Sequence, residues 1–320
     1  MIKFKRIRTH NNLDFTNRHH DIFFYGEELD ERTGLAIKKV NASNAFQVKY
    51  VKDEYALKLN GNKYKLLALK DALISMSPKK VIIYSTSLDF PEILYLFYSI
   101  NMIEGIESFT VLYIEPKEYS KSPSTEGGDE EYQLSDGRQP FSSLPVFSLN
   151  TITSGLQKTS LVSFLGFENS RLGQILSNDD GASFNKLLAC ISVPAYIPGW
   201  ENKSLRKHLL HFDSMETDLR TCPGANPYAV YQTLLDIYAE NPRLVLTSLG
   251  TKPTAIGICV FLINNHPNNS VEKQLGAIYD YPIKSINRTI GIGEIYSYEL
   301  SISNVPPTFI RLKCSVPPAL

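Results

Sequence analysis

The chain has 320 residues, 43% of them hydrophobic and 21% charged, and its 33 basic and 33 acidic side chains cancel to a net charge of zero. Those figures fit a soluble globular protein of two domains or one large α/β domain. They leave no electrostatic footprint for non-specific nucleic-acid binding.

The start, MIKFKRIRTHNN, has no apolar core segment and does not read as a signal peptide. No apolar run approaches the roughly 20 residues needed to cross a bilayer. The longest, Ala255 to Ile263, reads as a buried helix. Cys190, Cys222, Cys259 and Cys314 form no C-x-x-C pair. That spacing speaks against a disulfide scaffold or zinc site and fits a reducing cytoplasm.

In chain order, DIFFYG reads as a strand and KYKLLALKDALISMS as an amphipathic helix, with Leu66, Leu67, Leu69, Ala72, Leu73 and Met76 at helical spacing. KKVIIYS is a strand, PEILYLFYSINMI a helix and SFTVLYIEP a strand. This β-α-β-α-β order predicts a doubly wound, largely parallel sheet. Residues 117–146 are rich in Ser, Gly, Pro and acids and read as a linker or insertion. Beyond it TSLVSFLGF is a strand, SFNKLLACISV a helix or buried segment and PYAVYQTLLDIYAE a helix. RLVLTS, TAIGICVFLIN and LGAIYDYP then read as strand, helix and strand.

The two sides of the linker resemble each other. VIIYSTSLDFPEILYLF and LVLTSLGTKPTAIGICVF are each a strand, a hydroxyl-rich turn, a proline and an apolar helix. VLYIEP matches AIYDYP, with Glu115 and Asp280 as the acids between tyrosine and proline. FFYGEELDER matches SFLGFENSR, each a strand ending in Gly26 or Gly166 and followed by acids and then Arg32 or Arg171. Gly26 and Gly166 lie 140 residues apart, Pro91 and Pro253 162, and Pro116 and Pro282 166, so the order is kept while the spacing grows. The expectation is an α/β fold of two tandem Rossmann-like halves with mainly parallel sheets, related by internal duplication. The halves are 1–116 and 151–320, joined by a flexible linker at 117–150, the second carrying an inserted aromatic loop.

Ligands in open α/β sheets sit beyond the carboxyl ends of the strands. A helix N-terminus there offers free amides and a favourable dipole to an anion. Thr247, Ser248, Gly250 and Thr251 are therefore candidates to cradle a phosphate, with Lys252 supplying charge. Ser85, Thr86 and Ser87 hold the matching place in the first half, where Asp89 and Glu92 make it less welcoming to an anion. The same residue types also serve as ordinary helix caps. Glu28, Arg32, Glu168, Arg171 and Asp280 are candidates for the same cleft, an acid holding ribose hydroxyls and an arginine a phosphate. No G-x-G-x-x-G and no G-x-x-x-x-G-K-[ST] occurs, which speaks against a standard dinucleotide or P-loop site.

Residues 246–262, LTSLGTKPTAIGICVFL, resemble the strand, Gly/Thr turn and helix of the CARF-type Rossmann-like sensor domains of prokaryotic defence systems. The resemblance implies binding of cyclic oligonucleotides across a two-fold axis, which a duplicated chain would carry within itself. It also implies a nucleotide or other phosphorylated small molecule as ligand and an effector protein, encoded separately, as partner.

Other constellations are weaker. VPAYIPGWENK holds Tyr196, Pro198 and the single tryptophan, Trp200, and is either a base-stacking loop or a packed connection. His208 and His211, with Asp213 near, are a metal pair or a polar helix face. Glu294 and Glu299, on alternating strands, and Lys313 can be drawn as a nuclease-like set, with GIGE at 291–294 as a loop over the sheet edge. The reading is a nucleotide sensor or regulatory subunit. The alternatives are a hydrolase setting Glu28, Glu168 or Asp280 against Thr251 or Lys252, and a protein-binding scaffold.

Overall fold

The computed structural model describes residues 1–121, 132, 134–149, 159–179, 184–269 and 273–303. The elements are β1 (Ile2–His10), β2 (His20–Tyr25), α1 (Glu31–Lys39), β3 (Ala42–Val51), β4 (Ala56–Leu59), β5 (Asn62–Lys65), α2 (Leu69–Ile74), β6 (Val81–Tyr84), α3 (Phe90–Ile100) and β7 (Ser108–Tyr119). Next come β8 (Ser135–Gly137), β9 (Ser142–Ser143), β10 (Thr159–Phe164), α4 (Asn169–Asp179), β11 (Phe184–Ser192), α5 (Trp200–Phe212) and β12 (Glu216–Cys222). The chain continues through α6 (Pro227–Glu240), β13 (Arg243–Ser248), α7 (Lys252–Asn265), β14 (Gln274–Tyr279), β15 (Ile283–Lys284) and β16 (Thr289–Ile302).

The protein is a mixed α/β structure with two principal sheets. The first runs β1-β16-β7-β6-β2-β3-β4-β5 and the second β12-β11-β10-β13-β14-β9. In the second, β10 through β14 are mutually parallel, and β9 pairs antiparallel at the edge. In the first, β3, β2, β6 and β7 are parallel, but antiparallel strands flank them on both sides. The expectation of mainly parallel sheets therefore holds for the second sheet alone. The first is closed off by the β4–β5 hairpin at one side and by β16 and β1 at the other. β16 lies in this first sheet although its residues follow position 151.

The central strands form where the sequence offers unbroken apolar runs. VIIY of β6 and RLVLTS of β13 are buried along their full length, as strands covered on both faces must be. Pro91 and Pro253 sit in the first turns of α3 and α7, where a missing N–H costs nothing. KPTAIGICVFLINN is apolar on every side, so α7 has to be enclosed. It packs between α3 and α6, with contacts to β1, β13 and β14. Ile256, Ile258, Val260, Phe261 and Leu262 are fully buried there, each contributing about 1.5–3 kcal/mol relative to exposure. One continuous core joins Ile83 and Val111 of the first sheet to Val162 and Leu246 of the second through these helices.

Several expected elements are corrected. The helix expected over 63–77 shrinks to α2, because Asn62–Lys65 pairs with β4 as a hairpin and leaves Leu67 exposed. SFNKLLACISV, read as a helix or a buried segment, is a largely buried strand, β11, between β10 and β12. Glu294 and Glu299 lie on one strand, β16, not on alternating strands. GIGE is part of that strand rather than a loop. Lys313 and Cys314 lie outside the described residues, as do 122–131, 133 and 150–158 of the expected linker and its flank. No described helix is long and apolar enough to cross a membrane.

Candidate functional site

The matched sequence segments take matched places in the two sheets. β2 and β10 each stand between two parallel neighbours, β3 and β6 in one sheet, β11 and β13 in the other. After each strand the chain reaches a glycine at a point of very close approach. A Cβ on Gly26 would lie 2.3 Å from the Ser87 carbonyl oxygen, and one on Gly166 2.3 Å from the Leu249 carbonyl oxygen. Ser87 and Leu249 each stand four residues before the helix proline. Only glycine lets the strand end and the neighbouring turn meet in this way.

The two arginines are also placed alike, in the first turns of α1 and α4. The Arg32 guanidinium donates to the Ile114 carbonyl (3.0 Å), Thr289 Oγ1 (3.0 Å) and Asp30 Oδ2 (2.9 Å). Arg171 donates twice to Asp280, at 2.7 and 2.6 Å. Both side chains are at most 8% exposed, and Asp280 is fully buried. Such planar, paired donors hold a carboxylate tightly. These arginines brace α1 and α4 against the sheets while presenting an edge to the cavity between them.

That cavity has a volume of about 130 Å³, room for on the order of ten waters. Nine of the sequence candidates line it: Arg32 and Thr86 from the first part of the chain; Gly166, Glu168 and Arg171 after β10; and Ser248, Gly250, Thr251 and Lys252 at the β13–α7 turn. Six do not. Gly26, Ser85 and Ser87 sit within the first turn region. The Thr247 hydroxyl is buried without a hydrogen-bond partner, and Asp280 is bonded to Arg171. Glu28 is exposed and faces Lys38 at 3.6 Å.

In the first turn the hydroxyls serve the fold. Ser85 donates to the Leu112 carbonyl, Thr86 accepts from the Ile114 amide, and Ser87 accepts from the Gly26 amide. At the start of α3, Glu92 Oε2 accepts from the Asp89 amide at 2.7 Å, and Glu92 Oε1 from the Tyr50 amide at 3.0 Å. At the start of α7, the corresponding residues are Thr251 and Thr254. Thr251 donates to the Gly224 carbonyl and Thr254 to the Thr251 carbonyl. No side chain caps the α7 amides.

Three cations gather around Asp89, between the starts of α3 and α7. Lys284 Nζ lies 3.0 Å from Asp89 Oδ1 and donates to the Ser87 carbonyl, and Lys252 Nζ lies 3.6 Å from the same carboxylate oxygen. Arg288 completes the group, and its Nε is buried without an acceptor. Burial pushes the Lys252 amine down to about 7, with Lys284 and Arg288 adding to the effect and Asp89 opposing it. Burial works against ionisation of Asp89, but Lys284 and then Lys252 outweigh it and hold that carboxyl below its usual range. Burial, with Asp89 next to it, raises Glu92 to about 7.

A cluster of aromatic rings lines the same cavity. Tyr119 and Phe167 lie 5.1 and 5.3 Å from Trp200, ring centre to ring centre. Trp200 opens α5, so the VPAYIPGWENK segment does reach the cavity, with Tyr196 beside it. His208 is buried on α5 with its Nδ1 against the Ser204 carbonyl, and no described group of His, Cys, Asp or Glu could hold a metal ion.

Sequence reasoning missed Lys284, Arg288, Tyr119 and Phe167. Lys284 and Arg288 follow Pro282 in YPIKSINRT, a stretch with no periodic or motif signal. They reach the cavity because β15 pairs with β8, folding the segment back over the strand ends. The chain matches no protein-family model and no curated protein.

Proposed function

We propose that the protein is a nucleotide- or phospho-ligand-binding sensor, built as two tandem Rossmann-like halves by internal duplication. The parallel order β12-β11-β10-β13-β14 has its switch point between β10 and β13, where doubly wound sheets bind ligands. The paired glycines, turns, arginines and prolines support the duplication. The resemblance of 246–262 to CARF-type domains of defence systems supports a regulatory role in the cytoplasm with a separately encoded effector.

The observation that carries the reading is one cavity shared by both sheets. It joins an uncapped helix end and three cations to an aromatic wall. Cations and free amides favour phosphate, and aromatic faces favour a base. The sensor reading is preferred to the hydrolase. Of the acids invoked for hydrolysis, Glu28 points to Lys38 and Asp280 is committed to Arg171. The third, Glu168, accepts a hydrogen bond from Ser135.

The test is gentle purification and acid release, with mass spectrometry of anything bound. A thermal-shift screen of mono-, di- and cyclic oligonucleotides runs beside it. The reading expects a melting shift that vanishes in Lys252→Met. A protein that releases nothing and ignores the whole panel moves the scaffold reading to first place.

A further inference from the structure

Resting on the nucleotide reading, we infer that the ligand is a single nucleoside monophosphate bound in one orientation. Its phosphate lies at the start of α7, and its base lies against Tyr119, Phe167 and Trp200. A two-fold-symmetric cyclic oligonucleotide does not fit this arrangement.

The two helix ends are not equivalent. A symmetric ligand needs two equivalent anion sites, one per half. The start of α3 is taken: Glu92 accepts the Asp89 amide, and both carboxylates belong to that first turn. Position by position, Asp89 corresponds to Thr251 and Glu92 to Thr254, counting back or on from Pro91 and Pro253. The acids that close one helix end are hydroxyls at the other, and Thr251 points its donor away to Gly224. An anion is refused at α3 and accepted at α7.

Charge counting gives the ligand's ionic form. Lys284 and Arg288 contribute two positive charges, Lys252 a third once a bound anion restores its full protonation, and Asp89 one negative, leaving two positive charges between the starts of α3 and α7 when an anion is bound. A terminal phosphate carries about −1.5 to −2 near pH 7, whereas a bridging diester carries a single charge. The buried Arg288 Nε has a hydrogen to donate and no acceptor, and buried donors are almost always satisfied. A phosphate oxygen meets that need. All three cations come from the second half of the chain, as do Phe167 and Trp200, so the ligand's two ends are read by different chemistry.

Isothermal titration of the full chain with AMP, GMP, CMP and UMP, their nucleosides, inorganic phosphate and cyclic tetra-adenylate tests this. At least one monophosphate binds one to one, and its nucleoside binds tenfold or more weakly. Arg288→Met weakens that monophosphate at least tenfold, and Arg288→Lys, which keeps the charge but lacks Nε, weakens it less. Trp200→Ala weakens the monophosphate but leaves inorganic phosphate unchanged. Tighter binding of cyclic tetra-adenylate than of any monophosphate, lost in Lys252→Met, overturns the single-phosphate inference while the nucleotide site stands. Indifference to every compound overturns both.

Discussion

The β6–α3 and β13–α7 turns occupy equivalent positions in their sheets and share a glycine contact, a hydroxyl pair and a helix proline. They differ in what closes the helix. In the first, Asp89 and Glu92 close the helix and three hydroxyls are spent on backbone groups. In the second, Thr251 and Thr254 stand where the acids stood, and Lys252 begins the helix. The first turn's acid is not idle. Asp89 pairs with Lys252 of the other turn and with Lys284 of β15. Two turns of matching geometry thus carry different side chains: the first supplies the counter-ion Asp89, and the second leaves its helix end without a side-chain cap.

The largest effect that separates the halves concerns the arginine braces. Asp280→Ala strands a buried guanidinium and costs about 3–5 kcal/mol, read as a fall in urea midpoint. The residue at the equivalent first-half position is Ile114, which serves Arg32 through its carbonyl. Ile114→Val removes a methylene but leaves that bond, and costs about 0.5–1.5 kcal/mol. Equal losses in the two variants break the comparison.

Next in size, Gly26→Ala and Gly166→Ala each force a methyl into a carbonyl at 2.3 Å. Overpacking of this kind costs about 1–3 kcal/mol, and the equivalence of the two sites predicts similar falls in melting temperature. The exchange Thr251→Asp with Thr254→Glu rebuilds the first turn in the place of the second. It leaves the fold intact by circular dichroism and lowers affinity for a monophosphate at least tenfold, about 1.4 kcal/mol.

The remaining effect is a pH dependence. The folded protein holds Lys252 at about 7, below the 10.5 of an ordinary lysine. Between those values the unfolded chain binds more protons than the folded one, so this lysine makes stability rise with pH from about 7 to about 10.5. Lys252→Met removes that part of the slope, checked by denaturant titrations across the window. A slope unchanged in the variant contradicts the buried placement of the amine.

The parts of the fold that were legible in the sequence are those where burial writes an unbroken apolar run. VIIY, RLVLTS and TAIGICVFLIN are flanked by turn residues and prolines, and each forms the element expected. β3 was missed although Phe46, Val48 and Tyr50 alternate with the exposed Gln47 and Lys49; the alternation is short and the rest of ASNAFQVKYV is polar or exposed. β11 was ambiguous because a short apolar run looks alike in a strand and a buried helix. At the site, Lys252 and its turn stood out because strand, glycine and proline frame them. Lys284 and Arg288 gave no local signal, since only the fold-back through β15 brings them to the cavity.

The most direct test of the division between the turns is a thermal-shift titration with the four nucleoside monophosphates, on the wild-type chain and the Thr251→Asp, Thr254→Glu exchange. The account predicts a concentration-dependent rise in melting temperature for at least one monophosphate in the wild type and none in the exchange. The same rise in both proteins, or none in the wild type, contradicts it.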